Sequence, residues 1–155
     1  MDRARRGKRD ARRKRFGIVV SRFNEFITKR LQASVVETLI DHGAAPSAIE
    51  TVWVPGALEV PFFAKKLAHR GKYDAVIALA CVLRGDTIHF ENVSHEVTRG
   101  ISQVALETGV PMASGIIVAE NLEQAIDRAG LKHGNKGAQA ALAAIEIANL
   151  NTLLR

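Results

Sequence analysis

The chain has 155 residues, 47% hydrophobic and 25% charged, enough apolar material for one domain with its own core. No apolar run reaches the ~18–20 residues needed to cross a bilayer, and the N-terminus opens on charge rather than on an apolar signal segment. The lone Cys81 cannot form an internal disulfide, so a cytoplasmic protein is expected.

The net charge of +6 belongs to one segment. Residues 1–15 hold nine Lys/Arg against Asp2 and Asp10, a balance of +7, which leaves 13 basic and 14 acidic side chains, a balance of −1, for all the rest. So dense a like-charged run repels itself, and residues 1–15 are expected to form a flexible arm ahead of a domain at 16–155. Such an arm can touch phosphate backbones non-specifically. It has no aromatic residue before Phe16 on which a base would stack, and a solvated, solubilising tail is the plainer alternative.

Past the arm, apolar runs alternate with helical patterns. Residues 16–21 (FGIVVS) have the β-branched character of a buried strand. Ile27, Leu31, Val35 and Leu39 recur every four residues and predict a helix over 27–42, stopped by Gly43. A second strand is predicted at 49–54 and a short helix at 61–70, with Pro61 near its start and Gly71 after its end. Residues 74–83 (DAVIALACVL) have the unbroken apolar character of a strand covered on both faces, and Cys81 within it is expected to be a small buried hydrophobe. A longer helix over 89–108 and a fourth strand over 111–118 follow. Asn121 caps a helix over 122–129 with Gln124 as its partner, and Asn135 caps an alanine-rich helix reaching about Asn149. Strands separated by helices imply right-handed crossovers and an α/β domain: a three-layer α/β/α sandwich around a four-stranded parallel sheet.

Ligands of such sheets bind where the strands end in loops, and the unusual residues fall there. The first loop contains Phe23, either a plug for the sheet edge or an apolar plate for a heteroaromatic ring. The second, Val54-Pro55-Gly56-Ala57-Leu58-Glu59, is held non-helical by proline and glycine. Glu59 suits both a helix N-terminus and the role of acceptor for ligand hydroxyls. The third, Arg84-Gly85-Asp86-Thr87-Ile88-His89, puts glycine and small polar residues at a helix start, an arrangement that cradles anions. The Asp86 charge opposes an anion unless its side chain turns away. His89 is the group best placed to move protons near neutral pH; His42, His69, His95 and His133 are read as surface residues. Arg128, at a helix C-terminus, and Lys136, in a glycine-flanked turn, are the remaining basic candidates. The chain contains no G-x-G-x-x-G, no P-loop, no paired cysteines and no residue set at metal-ligand spacing.

Five segments in order, S-R-F-N (21–24), V-P-G-A-L-E-V-P (54–61), R-G-D-T-x-H-F (84–90), L-E-T-G-V-P (106–111) and N-L-E-Q-A-I-D-R-A-G…G-N-K-G (121–137), resemble the lumazine synthase family. The similarity runs from about Phe16 to Asn151. It implies a flavodoxin-like fold and an enzyme that condenses 5-amino-6-ribitylaminouracil with 3,4-dihydroxy-2-butanone 4-phosphate. The products are 6,7-dimethyl-8-ribityllumazine, inorganic phosphate and water, and neither metal nor redox cofactor is needed.

By position, the resemblance implies that Phe23 stacks on the pyrimidinedione, while Ala57, Leu58 and Glu59 hold the pyrimidine and ribityl chain. The main chain of Cys81, Val82 and Leu83 would read the pyrimidine edge. Asp86 and Thr87, mainly through their amides, would bind phosphate together with Arg128. His89 would be the catalytic proton donor and acceptor, and Lys136 would add positive charge. Family sites form between subunits, so Ser114 and Arg128 are expected to complete a neighbour's pocket. Pentamers, a 60-subunit icosahedral shell and riboflavin synthase as a partner are further implications. Three features depart from the family pattern. Ser114 stands where many members have Phe, Ala80-Cys81 replaces a Gly-containing pair, and the segment before Phe16, usually a strand lent to a neighbour, is crowded with Arg and Lys.

Overall fold

The structure is a computed structural model and describes residues 3–85, 89–130 and 134–155. Four strands, β1 (Phe16–Ser21), β2 (Ile49–Val54), β3 (Ala75–Leu83) and β4 (Met112–Ala119), form one parallel sheet in the order β2-β1-β3-β4. Between and after them lie α1 (Glu25–Asp41), α2 (Val60–His69), α3 (Phe90–Thr108), α4 (Leu122–Arg128) and α5 (Lys136–Leu153). This is the three-layer α/β/α, flavodoxin-like arrangement that the pattern predicts.

Burial explains the order. Every residue of β1 and β3 is buried, as the two inner strands require, whereas β2 is largely half-exposed at an edge. Alternate side chains point to opposite faces. Ile18, Val20, Ile77, Leu79 and Ile117 pack under α1 and α5, where the predicted stripe Ile27, Leu31, Val35 and Leu39 is wholly buried. Val19, Val76, Ala78 and Ile116 pack under α2 and α3, against Ala64, Leu67, Val97 and Ile101.

Element boundaries differ from expectation by a few residues, and the reasons are local. Helix α1 begins at Glu25, ahead of the first apolar position, because Asn24 turns the chain at φ 60° and its carbonyl accepts the amides of Ile27 and Thr28. Helix α5 continues to Leu153, past Asn149, with its start capped as predicted by the Asn135 side chain, which accepts the Ala138 amide. Asn121 likewise accepts the Gln124 amide, and Gln124 Oε1 accepts the Glu120 amide, a reciprocal cap. His42, expected at the surface, is half-buried, with Nδ1 2.8 Å from the Thr38 carbonyl. His133 lies outside the described residues.

The basic segment ahead of β1 is fastened to the domain at several points. Asn149 Nδ2 donates to the carbonyls of Lys8 and Asp10, both at 2.8 Å, and the Ala11 amide donates to the His42 carbonyl at 2.9 Å. Ala11 is fully buried within the core under α1 and α5, so packing begins before residue 16. Gly7 lies so close to the Glu146 carbonyl of α5 that a Cβ there would collide with it.

Candidate active site

The site begins with unequal strand lengths. The β1–β3 ladder stops at Val20↔Leu79, while the β3–β4 ladder continues to Leu83↔Ala119. The last four residues of β3, Ala80–Leu83, therefore run on past the end of the β1 ladder. The crossovers from β1 to β2 and from β2 to β3 lead to opposite sides of β1, so the β1/β3 crevice is the topological switch point where doubly wound sheets bind ligands.

A cleft of about 210 Å³ opens there. The loop after β1 contributes Phe23, half-exposed because the left-handed Asn24 throws the chain outward into α1. Asparagine tolerates that conformation better than other non-glycine residues. Its Nδ2 also donates to the Cys81 carbonyl at 3.0 Å, tying this loop to β3. The loop after β2 contributes Gly56 and a 3-10 turn, Ala57–Glu59. Glu59 stands at the N-terminus of α2, as its reading as a helix-start residue requires, and its carboxylate folds back over Gly56. Cys81 and Val82 form the floor and Val93 of α3 the far wall. Cys81 is buried, as expected, and Leu83 is packed in the core and is not among the residues lining the cleft.

His89 stands exposed at the N-cap of α3, and its carbonyl accepts the Val93 amide at 2.8 Å. It stands four residues, about one helical turn, ahead of Val93, the α3 residue that lines the cleft. Gly85 opens the preceding loop at φ 97°, a conformation side-chain-bearing residues rarely adopt. Asp86 and Thr87, the expected phosphate ligands, lie outside the described residues.

Other expected site residues lie apart from this cleft. Ser114 is exposed on β4, paired with Ala78, and lines a separate cavity of about 380 Å³ with Thr98, Ile101, Leu106 and Met112. Arg128 and Lys136 are at the β4 edge. There an antiparallel bridge between Ala129 and Asn135, reinforced by Asn135 Nδ2 donating to the Ala129 carbonyl at 2.8 Å, brings the backbone at the end of α4 beside the start of α5. Arg128 Nη1 donates to the Val118 carbonyl at 2.6 Å, which fixes the guanidinium at the carboxyl end of β4.

Two contributors escaped the sequence reading. Asn24 was within reach of it, since asparagine at a strand-to-helix junction is a recognised turn signal. Arg84 gave no local sign, because its main partner is 36 positions away: Nε lies 2.6 Å from Glu120 Oε2. Its Nη2 lies 3.5 Å from Glu91 Oε1, and the guanidinium covers the Phe90 ring at 5.2 Å from the centroid.

An apolar cleft at the carboxyl end of the sheet, lined from the loops after β1 and β2, from β3 and from α3, with Glu59 among its lining, defines a doubly wound α/β domain with a candidate small-molecule site at its switch point. The family model described as 6,7-dimethyl-8-ribityllumazine synthase matches residues 13–152, about nine-tenths of the chain, and the chain belongs to that family. Membership places it among the enzymes of riboflavin biosynthesis. Among the described residues no helix is long and apolar enough to cross a membrane.

Proposed function

We propose that the chain is a cytoplasmic transferase that condenses 5-amino-6-ribitylaminouracil with 3,4-dihydroxy-2-butanone 4-phosphate to give 6,7-dimethyl-8-ribityllumazine, phosphate and water. The observation that carries the proposal is the Phe23–Glu59–Val82 cleft with His89 one helical turn ahead of its Val93 wall. Phe23 offers a flat face to the pyrimidinedione, and Ala57 and Leu58 flank the ring. Glu59 accepts from ribityl hydroxyls, while the main chain of Cys81, Val82 and Leu83 meets the polar edge of the heterocycle. The substrate amine attacks the ketone to form an imine, phosphate is eliminated, and the second ring nitrogen closes the pyrazine. Each step moves protons, and His89 is the group positioned to carry them. The rest is orientation of two bound reactants. The phosphate is held by the amides of Asp86 and Thr87 together with Arg128, with Lys136 adding charge.

Arg128, Lys136 and Ser114 stand away from the cleft within one chain, which supports a site completed by a neighbouring subunit. Exposed apolar side chains support the same reading. Trp53 and Phe62 stand on the β2/α2 side, and Leu106, at 87% exposed, stands on the α3/β4 side with Val118 and Leu122 beyond it. Two different apolar faces on one molecule suit head-to-tail contacts that close into a ring. We take pentamers, built up to a 60-subunit shell, as the assembly, with riboflavin synthase as a candidate partner; mass photometry of the purified protein tests the subunit count.

The activity is tested by incubating the protein with both substrates and following lumazine fluorescence. His89→Ala is expected to keep the fold and to slow turnover by roughly 10²-fold or more, and Arg128→Ala to raise the KM for the phosphate substrate. Wild-type rates in both variants would overturn the assigned roles.

A further inference from the structure

The residues that carry the protein's positive charge take no part in the cleft, and the structure shows how they are displayed. Their backbone is held against α5 by Asn149 and by the burial of Ala11, while Arg3, Arg5, Arg6, Lys8, Arg9, Arg12, Arg13 and Arg15 are all exposed. Internal neutralisation is slight. Asp10 is committed to Arg12, bonded at 2.8–3.1 Å through Nε and Nη2, and this guanidinium holds its carboxyl down to about 2. Arg9 has Glu146 at 3.9 Å, and Lys14 donates to the Thr152 hydroxyl. Arg3, Arg5, Arg6, Lys8 and Arg13 make no ion pair with any described residue. Arg6 and Lys8 border one shallow groove of about 260 Å³ along α5, and Arg13 borders another of about 300 Å³.

We propose that this docked ribbon is a nucleic-acid-binding surface that grips the phosphodiester backbone without reading sequence. Seven of the nine cations are arginine, whose planar fork matches phosphate oxygens in pairs, whereas a solubilising tail gains nothing from guanidinium over ammonium. Arg3, Arg5, Arg6, Lys8 and Arg9 follow one another along a segment outside any helix or strand, a serial array of cations suited to a polymer of regularly spaced anions. An acidic protein partner or a membrane would want apolar or aromatic anchors as well. Between Arg3 and Arg15 the only such side chains are Ala4 and Ala11, and Ala11 is buried. The absence of aromatic residues from the ribbon likewise removes base stacking as a source of sequence preference.

The test is fluorescence anisotropy of the full chain with labelled 20-base-pair duplexes of two unrelated sequences across a salt series. Binding is expected to be alike for both duplexes and to fall steeply with salt. In Arg5→Gln/Arg6→Gln/Lys8→Gln/Arg13→Gln the slope of log K against log salt is expected to drop by roughly 3 to 4, about 0.9 for each phosphate no longer neutralised. Lumazine formation is expected to persist in this variant, because none of the four residues touches the cleft, so this result and that of the catalytic assay can fail separately. An unchanged slope in the variant, or no salt-sensitive binding by the parent protein, overturns the proposal. Tighter binding at equal charge concentration to polyglutamate or to anionic phospholipid vesicles than to duplex overturns it in favour of an acidic protein or a membrane.

Discussion

Arg84 Nε lies 2.6 Å from Glu120 Oε2, a contact that joins the residue after β3 to the residue after β4. The same guanidinium reaches Glu91 and covers Phe90 in the first turn of α3, immediately after His89. One side chain thus ties the end of the sheet to the helix that carries the imidazole. All three charged groups are more than half exposed, so the ion pairs themselves contribute no more than about 1 kcal/mol to stability. Arg84→Gln is therefore expected to leave the melting temperature nearly unchanged and to lower kcat about tenfold by letting His89 drift. A drop of several kcal/mol in unfolding free energy, with kcat intact, would instead make Arg84 a structural brace alone.

Asn24 combines a left-handed backbone with a bond to the Cys81 carbonyl, and two substitutions separate these contributions. Asn24→Gly keeps the turn and loses the bond, at a cost of about 1 kcal/mol. Asn24→Ala loses the bond and adds backbone strain, so its cost rises to about 2–3 kcal/mol. Urea unfolding of the two variants measures the difference; equal values would show that the turn itself costs nothing.

Phe23→Ala is expected to weaken binding of the pyrimidine substrate about tenfold, the value of one ring-stacking contact, while Phe23→Tyr stays close to the parent. Isothermal titration with the pyrimidine alone reads this directly. Equal binding by all three proteins would return Phe23 to the role of an edge plug.

Tyr73 is the only tyrosine in the chain, and its hydroxyl donates to Glu50, which Arg70 Nη1 also contacts at 2.7 Å. Burial, then the Glu50 bond, pushes the phenol from 10.0 up to about 12. The folded state thus holds the proton longer than the unfolded state does. The resulting stabilisation is complete below about pH 10 and is lost as pH rises towards about 12. Tyr73→Phe is expected to remove that part of the alkaline decline seen by denaturant unfolding across this range. An identical decline in both proteins would show that Tyr73 does not cause it.

Strands, helices and their order were legible because an inner parallel strand must be apolar throughout and an amphipathic helix must repeat every three to four residues. β3 and α1 are the clearest cases. Phe23 and Glu59 were legible as site candidates because strand ends are few and unusual residues cluster there, whereas Val82 was named only through the family resemblance. Their convergence on one cleft follows from the staggered ladders, which no local pattern encodes. The Arg84–Glu120 contact was illegible for the same reason. The seating of the basic ribbon was missed because charge density argues for self-repulsion, whereas Asn149 and the small residues Gly7 and Ala11 supply a specific grip that composition does not reveal.

The four residues by which β3 overshoots its neighbour have a consequence for how this protein can change. On the side away from β4 they present main-chain groups that do not depend on the side chain attached, and one of these, the Cys81 carbonyl, accepts Asn24 Nδ2. Mutation can therefore rewrite positions 80–83 within the limits of core packing without erasing the chemical pattern a heterocycle would meet. Ala80-Cys81 in place of a glycine-containing pair is a change of this kind: both side chains are buried, and the main chain on the crevice side keeps its pattern of donors and acceptors.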